Sequence, residues 1–176
     1  MDPKELEHRR ALGDAMLTFV GEIMRHVTER DDVMRQVATE HYRQAVEEAA
    51  RHGIEVSLCW HSLAVWTETG KERIGYFARA LDCLDLETVA DPPVTPHQRW
   101  ATDHMRADCL YEIARVHALE GDPDVARHFL EEALPLARFV ETLRKPAGIT
   151  HSDQLEVKIV ELLAILPANG TGAAVD

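Results

Sequence analysis

Ala107-Asp-Cys-Leu-Tyr-Glu-Ile-Ala-Arg-Val-His-Ala-Leu-Glu120, then Gly121-Asp122-Pro123-Asp124, then an apolar-periodic run to Arg138, is the stretch that decides the fold. Its first half sets Leu110, Ile113, Ala114 and His117 on one helical face. Its second half does the same with Val125, Ala126, Phe129, Leu130, Ala133 and Leu134. The four residues between carry turn chemistry. Gly121 can take a positive φ and end the first helix, Asp122 is a good N-cap for the second, and Pro123 falls at N1, where its missing N–H costs nothing. Helices joined by so short a turn pack antiparallel.

The spacing Leu110-x2-Ile113-Ala114-x2-His117, then Gly121, then Ala126-x3-Leu130-x2-Ala133 resembles a tetratricopeptide repeat (TPR). The small residues Ala114, Ala126 and Ala133 let two backbones approach while large neighbours fill the gaps. The pattern departs from the family at His117, where an aromatic is usual, and at Arg138, where a proline is usual. Partial matches occur upstream, at Ala38-x3-Tyr42-x2-Ala45, Trp60-x2-Leu63-Ala64-x2-Thr67 and Phe77-x2-Ala80. The resemblance covers most of residues 15–144. It implies an all-α fold: a TPR-like right-handed stack of about three antiparallel helical hairpins plus a C-terminal capping helix. Residues 1–166 would form a single domain, with 167–176 a flexible tail.

Outward from that stretch, the chain punctuates itself. Asp2-Pro3-Lys4-Glu5 reads as a helix start, and the helix should run to about Thr28. Asp31 or Asp32 then caps a helix that ends at Gly53, although one long helix over 3–52 fits the same residues. A third helix is expected from Ile54 to about Glu68. A fourth follows Gly70, with Thr69-x2-Glu72 as its capping box. Asp85 to Thr95 reads as a Pro-rich inserted loop because of Pro92 and Pro93. Thr95-Pro96-His97-Gln98 starts a fifth helix that should reach about Leu119. The sixth should reach about Arg144, with Pro135 kinking or interrupting it near Glu131. A last helix beginning at Thr150 or Ser152 would cover the end of the stack.

Composition excludes several functions. Nineteen Lys plus Arg stand against 31 Asp plus Glu, a net charge of −12. Such a chain lacks the basic face that nucleic acid or an anionic membrane needs. Three widely spaced cysteines (Cys59, Cys83, Cys109) form no CxxC pair, which fits a reducing cytoplasm better than a disulfide framework. The charged N-terminus has no apolar core for a signal peptide, and no stretch of about 18 apolar residues could span a membrane. No HExxH motif or Gly-rich phosphate loop is present, so no catalytic residue, metal ligand or cofactor is expected. Three carboxylate–histidine pairs at i,i+4, namely Glu22/His26, Glu48/His52 and Asp124/His128, read as helix-stabilising pairs. A histidine-based metal site is the other use of such spacing.

First helices of TPR hairpins line the face that binds partner segments. Carried over on the matched motifs, the partner-binding residues are His61, Val65 and Glu68 in one hairpin and Asp108, Tyr111 and Arg115 in the next. The family's carboxylate-clamp mode needs an Asn- and Lys-rich groove, and this chain has one asparagine, Asn169. The resemblance therefore implies a non-catalytic adaptor, chaperone or regulatory subunit whose partner is another protein or a second copy. The acidic balance favours a basic or apolar segment. The alternative is a small-ligand sensor or helical enzyme, its pocket built from the tryptophans, Tyr111, Arg115 and histidines.

Overall fold

The computed structural model describes residues 32–53, 55–68, 70–150 and 154–167, together with Ala11 and Ala15, which are both helical. Six helices and no strand occur among the described residues. They are Asp32–Arg51 (α1), Ser57–Trp66 (α2), Gly70–Ala90 (α3), Pro96–Glu120 (α4), Pro123–Arg144 (α5) and Leu155–Ile165 (α6). The chain divides into two compact units, Met1–Pro92 and Pro93–Asp176, and the division falls between two prolines of the expected loop. No described helix is long and apolar enough to cross a membrane. Most of the expected first helix, Glu22/His26, Thr69 and Ser152 lie outside the described residues.

In the first unit α2 packs on α1 and α3. Trp60, Leu63 and Ala64 of α2 are fully buried, as are Phe77 and Ala80 of α3, and Tyr42 and Val46 of α1 complete the core. Trp60 stacks on Tyr76 with centroids 5.8 Å apart. The Tyr42 hydroxyl donates to the Cys59 carbonyl at 3.3 Å. α2 starts at Ser57, later than the expected Ile54, which lies outside the described residues, and Val56 before it offers no capping side chain. The cap comes from α3 instead: the Glu87 carboxylate accepts from Ser57 N–H at 2.9 Å and from Ser57 Oγ–H at 2.7 Å. These two hydrogen bonds tie the start of α2 to the end of α3, which run antiparallel.

That cap also explains a correction. Residues 85–90 are helical, not loop, and only Asp91–Thr95 remain outside helices. Proline constrains the residue immediately before it, so Pro92 stops the helix at Asp91 and not earlier.

In the second unit α4 and α5 form the hairpin expected from the turn. Thr95 and Gln98 make the capping box: Gln98 N–H donates to Thr95 Oγ1 at 3.2 Å, and Thr95 N–H to Gln98 Oε1 at 3.0 Å. Gly121 sits at φ 87°, with Gly121 N–H donating to the Ala118 carbonyl and Asp122 N–H to the His117 carbonyl. These two bonds are a Schellman ending. Ala114, Ala126 and Ala133 are completely buried, as close backbone approach requires. α6 runs antiparallel to α5. Arg138 pairs with Glu156 near its start at 2.9 Å, and Arg127 donates to the Leu166 and Pro167 carbonyls at its end. Leu155 and Ile159 bury its inner face.

Two further expectations are corrected here. Pro135 does not interrupt α5. It forfeits one hydrogen bond to the Glu131 carbonyl, but both residues face solvent, where water replaces it. The last helix starts at Leu155, after Gln154 in the left-handed region at φ 60°. Asp122 occupies the N-cap position of α5, but its side chain makes no capping bond.

Candidate functional site

An open cleft of about 470 Å³ lies in the first unit. Gln36, Thr39, Glu40 and Arg43 form one wall; their 3-1-3 spacing puts all four on one face of α1. Trp66, Thr67 and Glu68 enter from the end of α2, and Glu72 from the first turn of α3. The cleft exists because α2 stops at Trp66. Thr67 turns extended at ψ 126°, and its hydroxyl donates back to the Leu63 carbonyl at 2.8 Å. Tyr42 packs against the Trp66 ring at 5.0 Å, which fixes the indole in the wall.

Three carboxylates, Glu40, Glu68 and Glu72, face this space together with one cation, Arg43. The guanidinium is already engaged: it makes a bidentate pair with Glu40 at 2.6 and 2.9 Å and a third bond to Glu47 at 2.9 Å. Hydrogen bonds from Arg43 and Gln44 hold the Glu40 carboxyl below its usual range, so it stays ionised. Glu72 accepts the Tyr76 hydroxyl at 2.9 Å. Burial, and then this carboxylate, push the Tyr76 phenol up. The cleft is therefore acidic, aromatic on one side, and built to keep its charge.

Of the residues carried over from the repeat pattern, Glu68 lines this cleft. His61 is half-buried and meets Phe77 edge-on at 5.6 Å, and Val65 is exposed outside the lining. Asp108, Tyr111 and Arg115 lie half-buried along α4 in the second unit. There Arg115 pairs with Glu112 at 2.9 Å, and burial raises the Tyr111 phenol. Trp66 was among the tryptophans read as pocket-lining under the ligand alternative, whereas the α1 wall and Glu72 escaped the sequence reading as site residues. Its one available signal was the polar stripe 36/39/40/43 on an otherwise apolar-periodic helix.

The remaining candidates resolve simply. Glu48 and His52 form an exposed pair at 2.9 Å, as read from their spacing. All three cysteines are buried and none of them forms a disulfide. Burial pushes Cys83 up to about 12 and Cys109 higher, which leaves both as unreactive thiols at neutral pH. At the α4–α5 turn, His117, Glu120 and Asp122 bring ligand atoms together, a cluster the sequence reading did not contain. Compared with protein-family models, curated proteins and solved structures, the chain matches none. Fold and cleft define an all-α protein with an acidic, tryptophan-walled surface site.

Proposed function

We propose that this chain is a non-catalytic interaction module whose TPR-like hairpins hold a partner protein, with a Lys or Arg side chain of the partner seated in the cleft beside Trp66. The observation that carries this reading is the cleft itself: three carboxylates and an indole, with the one cation already paired. A cation near an exposed indole gains roughly 0.5–1 kcal/mol, and more when desolvated. The −12 net charge adds long-range attraction for a basic partner. The openness of the site suits a protruding side chain on an extended segment. Asp108, Tyr111 and Arg115 on α4 are a separate candidate surface of the second unit, where Tyr and Arg bring rigid area and bidentate bonding. The cytoplasm fits three cysteines that form no disulfide.

A second reading has its own support. A volume of about 470 Å³ lies within the range of small-molecule sites, so a small organic cation would also be accommodated. A peptide panel separates the two. Fluorescence anisotropy is read for Lys-, Arg-, neutral and acidic peptides against the wild type and Glu68→Lys. The adaptor reading expects basic peptides alone to bind, weakening at least tenfold in the variant and with added salt. Equal binding of neutral peptides, or an unaffected variant, would sink it. Binding of free amines but of no peptide would transfer the site to the ligand reading.

A further inference from the structure

The turn between α4 and α5 assembles a second site, independent of the cleft. His117 lies in the last turn of α4 and Glu120 ends that helix. Gly121, at φ 87°, folds the chain so that Asp122 returns over the same turn. One ligand atom from each of His117, Glu120 and Asp122 lies within 4.8 Å of the other two.

The imidazole is the telling member. Its Nδ1 is shielded from solvent and makes no hydrogen bond. Asp122 Oδ2 stands 3.6 Å away, too far for a hydrogen bond. A shielded ring nitrogen that makes no hydrogen bond, with only this carboxylate within ion-pair reach, is unfavourable, and native structures rarely keep one. The same separation suits a shared ion. Metal–ligand bonds of about 2.0–2.2 Å at a tetrahedral angle set two donors roughly 3.4 Å apart. The ring is also held in place: it lies parallel to Phe129 at 5.9 Å with an interplanar angle of 11°. The helix C-terminus adds negative potential where a cation would sit.

We propose that His117, Glu120 and Asp122 form a binding site for a divalent transition-metal ion of the zinc class. One imidazole nitrogen and two carboxylate oxygens supply three ligands, and water completes the coordination. The imidazole selects zinc-like ions over magnesium and calcium, which take oxygen donors. An ion bound here staples the last turn of α4 to the first residue before α5, so it stabilises the hairpin. Asp122 caps nothing with its side chain, so the conservative pair Glu120→Gln/Asp122→Asn removes ligand oxygens and leaves the turn intact.

The test uses untagged, chelator-treated full chain. Zn2+ is titrated by calorimetry, Co2+ by visible absorption, and thermal unfolding is followed with and without one equivalent of Zn2+. One saturable site is expected, with Co2+ ligand-field bands, a raised unfolding temperature, and no competition from millimolar Mg2+. Glu120→Gln/Asp122→Asn should unfold like the wild type without metal, and should lose more than about tenfold in Zn2+ affinity together with the thermal shift. His117→Gln should lose the Co2+ bands. Absence of saturable binding, Mg2+ competing equally, or variants that bind as the wild type does through other histidines would each overturn the proposal.

Discussion

Removing the Glu87 carboxylate tests the account of the first unit most sharply. Glu87 accepts two hydrogen bonds from Ser57, at 2.9 Å from N–H and 2.7 Å from Oγ–H, and Ser57 is only 3% exposed. Val56 supplies no side-chain cap in its place. Each charge-assisted bond contributes about 1.5–3 kcal/mol net, and a lost N-cap costs about 0.5–2 kcal/mol. The two overlap, and water reaches part of the half-buried Glu87, so Glu87→Ala should destabilise the unit by about 2–4 kcal/mol. Glu87→Gln keeps one acceptor and should cost about half as much. In a double-mutant cycle with Ser57→Ala, the coupling should be about 1–2 kcal/mol. Urea unfolding is followed by tryptophan fluorescence in a Trp100→Phe background, so that Trp60 and Trp66 report the first unit alone. A change below about 0.5 kcal/mol, or zero coupling, would refute the assignment of this carboxylate as the cap of α2.

Gly121→Ala should destabilise the α4–α5 hairpin by about 1–2 kcal/mol. A Cβ there meets nothing within 4 Å, so the whole loss would come from φ 87°, and Gly121→Asn should recover part of it in the same urea assay. Gln154→Gly should stabilise the second unit by up to about 1 kcal/mol, relieving the left-handed backbone before α6, as read by thermal melts. Stability should also fall above pH 9. Burial, then the Glu55 and Glu87 carboxylates, raise the Cys83 thiol from its ordinary 9.0 to about 12. The folded chain therefore keeps a proton that the unfolded chain has already released. Between those values the unfolded state binds fewer protons, and this thiol alone lowers stability by at most about 1.4 kcal/mol per pH unit. Urea midpoints at pH 8.0, 9.5 and 10.5 check this, and Cys83→Ala should shallow the slope.

Features fixed within three or four residues were legible in the sequence. The Thr95/Gln98 box, the Gly121 ending and the close approach at Ala114, Ala126 and Ala133 all follow from local spacing. What failed was set across the chain. Ser57 is capped from 30 residues away, so no local signal could place the start of α2. Leu86 and Val89 continue α3 although both face solvent, which breaks the apolar periodicity that usually marks a helix. The site was legible at Glu68 and, through the tryptophan pocket of the alternative reading, at Trp66. Periodicity assigns a helical face, but it does not say which polar stripe of α1 will stand opposite the end of α2. The metal-ligand cluster stayed hidden because its donors come from a helix end and the turn beyond it, not from i,i+4 positions on one helix.

The central claim is that the cleft beside Trp66 receives a basic side chain. The most direct measurement is a 15N NMR titration with a Lys-containing peptide, reading the three tryptophan indole resonances separately. Trp66 should shift on saturation together with the amides of Thr39, Glu40, Arg43 and Glu68, while buried Trp60 stays fixed and Glu68→Lys abolishes the response. Binding that leaves Trp66 unmoved, or a response that survives Glu68→Lys unchanged, would contradict it.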